Sequence, residues 1–108
     1  MIVELRVYHC APGRLPALHE RFIRSTLGFF KKHGIEPVGF WTTLVGPTNQ
    51  SLSYLLSWQS LAEREARWAA FQADEEWIAA RAESEASSPI VERIENQFWT
   101  PTEYSSMR

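Results

Sequence analysis

Six segments in the order strand, helix, strand, strand, helix, strand predict an α+β domain of the ferredoxin-like βαββαβ type. In that type a four-stranded antiparallel sheet carries both helices on one face. Three observations carry the prediction. Ile2 to His9 alternates apolar and polar side chains, and Leu15 to Phe30 repeats apolar residues at helical spacing. Glu36 to Trp58 holds two aromatic and β-branched runs around a Gly-Pro-Thr-Asn-Gln centre. A chain of 108 residues is long enough for one core and too short for two, so we read residues 1–100 as a single domain and 101–108 as a tail.

The first strand places Val3, Leu5 and Val7 on one side and Glu4, Arg6 and Tyr8 on the other. Cys10-Ala11-Pro12-Gly13 ends it. A helix follows from about Arg14 to His33, with Pro16 tolerated in its first turn and Gly34 as its stop. Its stripe is Leu15, Leu18, Phe22, Thr26, Phe29 and Phe30. Val38 to Val45 and Ser51 to Trp58 form a hairpin through Gly46 to Gln50, since so short a connection joins antiparallel neighbours. Ser60-Leu61-Ala62-Glu63 is a capping box and starts the second helix. That helix runs past Trp68 and Phe71 to Asp74, whose carboxylate could cap a further helical segment carrying Trp77 and Ala80; one kinked helix and two separate ones are both open. Ser87-Ser88-Pro89 breaks the pattern, and Val91 to Trp99 is the fourth strand. The tail Thr100 to Arg108 is either an arm on a neighbour or partly disordered.

Composition excludes several function classes. Eleven basic against 13 acidic residues, a formal net charge of -2, lack the basic excess of a nucleic-acid surface. No apolar run approaches the roughly 18–20 residues of a membrane span, and the N-terminus opens on a strand instead of a signal peptide, so the expected location is cytoplasmic. The single Cys10 permits no intrachain disulfide. His9 and Cys10 are adjacent on a strand and project to opposite faces, and no partner stands at metal-ligand spacing; His19 and His33 read as structural or solvated. A phosphate-binding glycine loop, a Ser-His-Asp order and an EF-hand spacing are all missing, so no cofactor and no metal is implied. The stretches EREARW and ERIE read as solvated faces.

The helix-covered face is assigned to the more apolar alternation: Val3, Leu5 and Val7; Val38, Phe40 and Leu44; Leu52, Tyr54, Leu56 and Trp58; Ile94 and Phe98. The open face then carries Glu4, Arg6, Tyr8, Trp41, Thr43, Ser53, Leu55, Ser57, Arg93, Glu95, Gln97 and Trp99. Aromatic surface of that extent predicts a second copy, two sheets packing as an eight-stranded homodimeric barrel. The space between the sheets is the candidate ligand site, lined by Arg6, Tyr8, Trp41, Thr43 and Gln97. A guanidinium and a phenol in one cavity could orient an anionic or carbonyl substrate. The structural alternatives are an ion pair that fixes the dimer for Glu4 and Arg6, and interface core for Trp41 and Trp99.

Gly39-Phe40-Trp41-Thr42-Thr43, Val45-Gly46-Pro47, Asn49-Gln50, Ser60-Leu61-Ala62-Glu63-Arg64 and Asp74-Glu75-Glu76-Trp77, taken together, resemble the NIPSNAP family. Glu4-Leu5-Arg6, Pro12-Gly13, Lys32-His33-Gly34 and Pro101-Thr102 extend the likeness over almost the whole chain. The resemblance implies a dimeric α+β barrel and no established biochemical role. Its fold neighbours include cofactor-independent monooxygenases, haem-binding barrels and muconolactone-type isomerases. Three functions follow as expectations: a homodimer binding a small organic molecule, a cofactor-independent monooxygenase or isomerase using the same cavity, and a non-catalytic scaffold for a protein partner.

Overall fold

The computed structural model describes residues 1–107. Strands β1 (Ile2–Cys10), β2 (Glu36–Thr42), β3 (Ser51–Trp58) and β4 (Val91–Trp99) form one sheet in the order β2-β3-β1-β4, every pair antiparallel. Helices α1 (Leu15–Arg21), α2 (Leu27–Lys32), α3 (Leu61–Ala73) and α4 (Glu75–Ser84) cover one face. This is the predicted α+β topology, and the molecule is only 19 Å deep along its shortest axis, the thickness of one helical and one sheet layer.

Local chemistry explains the boundaries. The Ser60 hydroxyl accepts from the Glu63 amide at 3.1 Å and starts α3, as the capping box predicts. The second helical region is two helices: Asp74 ends α3 in an extended conformation, and its Oδ1 accepts from the Glu76 amide at 3.0 Å to start α4. Its Oδ2 takes hydrogen bonds from Lys32 at 2.8 Å and His33 at 2.7 Å, which hold this carboxyl well below the usual carboxylate range and tie the end of α2 to the start of α4.

At the end of α2, the Gly34 amide bonds to the Lys31 carbonyl and the Ile35 amide to the Phe30 carbonyl, a Schellman closure with Gly34 at φ +68°. A methyl group there would lie 2.6 Å from the Arg67 guanidinium. Gly34→Ala is therefore expected to cost about 1–2 kcal/mol from left-handed strain, more if Arg67 cannot swing aside, measured as a shift in the denaturant midpoint at unchanged m-value.

The first helix is interrupted where the sequence reads as continuous. Phe22–Thr26 is a π-turn between α1 and α2, closed by the Leu27 amide on the Phe22 carbonyl. Arg21, Phe22 and Thr26 are all buried at this turn.

The structure reverses the assignment of β1. Directly opposed residues of a sheet share a face, and Glu4 stands opposite Leu56, Arg6 opposite Tyr54, and Tyr8 opposite Leu52. Leu52, Tyr54, Leu56 and Trp58 are buried beneath the helices as expected. Glu4, Arg6 and Tyr8 are buried with them, while Val3, Leu5 and Val7 lie on the open face. The hairpin also differs. A register shift between Pro37 and Gly39 leaves Val38 half-exposed in a bulge, and β2 ends at Thr42, so Leu44 and Val45 stand exposed in the loop. Phe40, Ile94 and Phe98 do share the helical side, although Ile94 and Phe98 stay half-exposed because β4 is an edge strand.

The open face thus presents Val3, Leu5, Val7 and Leu55 between the half-exposed Trp41 and Trp99. The Trp41 indole lies against Gly39, where a Cβ would come within 2.8 Å of the ring. The tail from Pro101 to Met107 has no regular secondary structure and a fully exposed Tyr104; Arg108 lies outside the described residues.

Candidate functional site

The polar side of β1 is held inside by a full set of partners. Glu4 is completely buried and accepts from Asn96 at 2.7 Å, from Trp58 Nε1 at 3.0 Å and from Arg6 at 3.1 Å. Arg64, projecting from α3, closes the set through Nη2 at 2.9 Å and Nε at 3.1 Å. Burial pushes the Glu4 carboxyl up, but the hydrogen bonds from Arg64 and Asn96 and the charges of Arg64 and Arg6 outweigh it, leaving the group below its usual range. Glu4 is an ionised structural hub, and Arg64, read from EREARW as solvated, is its main partner.

Arg6 extends the network toward the other end of β1. Its guanidinium lies 4.3 Å from the Trp68 ring centroid, and its Nε donates to the Tyr54 hydroxyl at 3.1 Å. The Tyr54 and Tyr8 hydroxyls are 2.8 Å apart. Burial opposes the charge on Arg6, yet Tyr8, Tyr54 and Glu4 outweigh it and keep the guanidinium above the ordinary arginine value.

Beyond Tyr8 a cavity of about 390 Å³ opens between the sheet, the π-turn and α4. Arg6, Tyr8, Arg21, Phe22, Thr26, Phe71, Trp77 and Arg81 line its interior, and Val91 to Ile94 of the edge strand form its mouth. Its size falls within the range of small-ligand sites, and it joins apolar walls to a few polar groups. Arg21 is buried, donates from Nη1 to Ser84 at 3.3 Å and stands 3.7 Å from Glu85, which also pairs with Arg81 at 3.6 Å. Burial lowers the Arg21 pKa despite Glu85. Among the described residues no cluster could hold a metal ion, and burial pushes the Cys10 thiol up, which disfavours a nucleophilic thiolate.

The NIPSNAP family model matches residues 3–106. The chain belongs to the NIPSNAP family. Among solved structures, the NIPSNAP protein Atu4242 of Agrobacterium tumefaciens, itself of unknown function, is 26% identical at a TM-score of 0.87, covering 100% of this chain and 94% of that one. A NIPSNAP-like domain protein of Burkholderia xenovorans is 25% identical at 0.85, covering 96% of this chain and 87% of that one. A candidate antibiotic biosynthesis monooxygenase of Deinococcus radiodurans, at 10% identity and TM-score 0.65 over 100% and 99% of the two chains, shares the fold alone. No curated protein matches the chain. Among the described residues no helix is long and apolar enough to cross a membrane.

In this NIPSNAP protein the five residues expected to share one cavity do not meet. Arg6 and Tyr8 line the cavity between sheet and helices. Gln97 stands opposite Leu5 and Trp41 opposite Ser53, on the open face; Gln97 accepts there from Trp99 at 2.9 Å. Thr43 follows β2, with its hydroxyl 3.5 Å from Ser51. The reason is the reversed face of β1, which carries Arg6 and Tyr8 away from the open face of the sheet. Sequence reading missed Arg21, Tyr54 and Trp77 as parts of the site. Tyr54 and Trp77 were legible only as core aromatics, and nothing in the helical stripe signals the π-turn that follows Arg21.

Proposed function

We propose that this NIPSNAP protein is a homodimer in which each protomer binds a small organic molecule in the cavity between its own sheet and helices. The observation that carries the reading is the convergence of Arg6, Tyr8 and Arg21 on one space of about 390 Å³ walled by Phe22, Phe71 and Trp77. Arg6 and Tyr8 remain ligand-site candidates, whereas Trp41, Thr43 and Gln97 are assigned to the seam between protomers and its rim. The apolar open face supports pairing through the sheets, because a monomer would leave Trp41 and Trp99 half-exposed and Leu5, Val7 and Leu55 partly exposed to water. Residues 1–100 then form the half-barrel, from which residues 101–107 extend with Tyr104 exposed to a neighbour. A single buried cysteine is compatible with a cytoplasmic protein.

Native mass spectrometry against a library of small organic molecules tests the binding claim. Ile94 sits half-exposed at the cavity mouth, so Ile94→Trp should weaken every hit about tenfold or more while the protein stays folded. Gln97→Ala, on the other face, should leave the affinities unchanged. The opposite pattern would move the site to the seam between sheets.

A further inference from the structure

Two buried donors that border this cavity have no acceptor among the described residues. Tyr54 is fully buried, and its hydroxyl meets the Arg6 Nε at 3.1 Å and the Tyr8 hydroxyl at 2.8 Å. A guanidinium only donates, so the Tyr54 oxygen accepts from Arg6. Tyr54 must also place its own proton, which burial holds on the phenol by raising its pKa well above the ordinary value. The Tyr8 oxygen is the acceptor within reach, hence Tyr54 donates to Tyr8. The proton of Tyr8 is then left with no protein acceptor among the described residues, and Tyr8 lines the cavity.

The second donor is Arg21. Its Nε is buried and without a partner among the described residues, while Nη1 is engaged by Ser84. The Arg21 side chain is 6% exposed, lines the same cavity, and has Glu85 as a distant counter-charge that it shares with Arg81. A buried donor left unmatched destabilises the folded protein, so an occupant that displaces solvent from this corner gains by presenting acceptor oxygens. The facing walls, Phe22 and Trp77, offer aromatic surface for the rest of such a molecule.

We infer that the cavity takes a small aromatic carboxylate, whose oxygens accept from the Tyr8 hydroxyl and the Arg21 guanidinium while its ring lies against Phe22 and Trp77. The inference rests on the reading of this cavity as the ligand site. Both groups act on the ligand directly, one as a neutral donor and one as a charged donor.

Calorimetric titration with cinnamate and with cinnamamide, its neutral counterpart of similar shape, separates the two claims. The unaltered protein should bind cinnamate about tenfold or more tightly than the amide. Tyr8→Phe preserves the ring and should lower cinnamate affinity about tenfold and amide affinity by less, because the amide carbonyl accepts a weaker, uncharged bond from the same hydroxyl; Arg21→Met should remove the preference for cinnamate. Equal binding of the two probes would leave the cavity as a site for neutral molecules, and an undiminished preference for cinnamate in Arg21→Met, or an undiminished cinnamate affinity in Tyr8→Phe, would overturn the assignment of these donors to a carboxylate. Binding of neither probe to the unaltered protein would overturn the cavity reading itself, and the inference with it.

Discussion

Replacing Glu4 with alanine is expected to cost about 3–5 kcal/mol of folding stability, because it removes one partner of a fully buried ion-pair cluster and leaves the others uncompensated. Arg64 would lose two hydrogen bonds, and Arg6, Trp58 and Asn96 would each lose one. Domains of this size hold only about 5–15 kcal/mol in total, so Glu4→Ala approaches the threshold of folding at all. In thermal unfolding the loss corresponds to a fall of roughly 15 °C or more. Glu4→Gln keeps the shape and removes the charge, and it should fall between alanine and the natural residue.

The same residue sets an acid dependence. The folded-state pKa of Glu4 is lowered from the ordinary value of 4.5, so the unfolded chain binds the proton more readily than the folded one. The stability this group supplies is complete above about pH 4.5 and drains away as the pH falls through the lower folded value. Asp74 and Glu95 are also lowered, by bonds from Lys32 and His33 and from His9 respectively, and they contribute in the same direction. The comparison that isolates Glu4 is therefore the difference in melting temperature between the natural protein and Glu4→Gln. That difference should shrink as the solution is acidified below the ordinary carboxylate range.

The second large effect concerns the open face. Leu5 stands near its centre on β1, between Leu55 of β3 and Gln97 of β4. In the proposed homodimer, Leu5→Glu would put one carboxylate from each protomer into an apolar twofold seam, losing leucine burial of roughly 1.5–3 kcal/mol per copy and adding the cost of an unpaired charge. An increase of about a thousandfold or more in the dimer dissociation constant follows from a combined loss beyond about 4 kcal/mol. Light scattering over a concentration series reads this directly: a dimer mass for the natural protein and a monomer mass for the variant. A natural protein with the mass of one chain at micromolar concentration would refute the pairing. An unaltered dimer in Leu5→Glu would place the interface elsewhere.

Much of the architecture was legible from local signals. Ser60 with Glu63 gave the start of α3, Gly34 gave the end of α2, and alternation from Val91 to Trp99 gave β4. Those signals lie within a few residues of the feature they determine. The face of β1 does not. Hydrophobicity alone places Val3, Leu5 and Val7 inside, and only the arrival of Arg64 from α3 and Asn96 from β4 makes burial of Glu4 tolerable. Those partners are long-range, and cross-strand register cannot be read from a single strand. The one available hint was β3, whose aromatic alternation at Tyr54 and Trp58 carries hydroxyl and indole groups that need buried polar partners. The candidate site inherited the error: Arg6 and Tyr8 were correctly seen as neighbours on one side of β1, but their companions are Tyr54 and Arg21 instead of Trp41 and Gln97.

The location of the ligand decides between these two arrangements, and a crystal structure of the protein grown with its tightest-binding small molecule measures it directly. The account predicts ligand density between β1 and α4, within hydrogen-bonding distance of the Tyr8 hydroxyl and the Arg21 guanidinium. Density in the seam between two sheets, against Trp41 and Gln97, would contradict it.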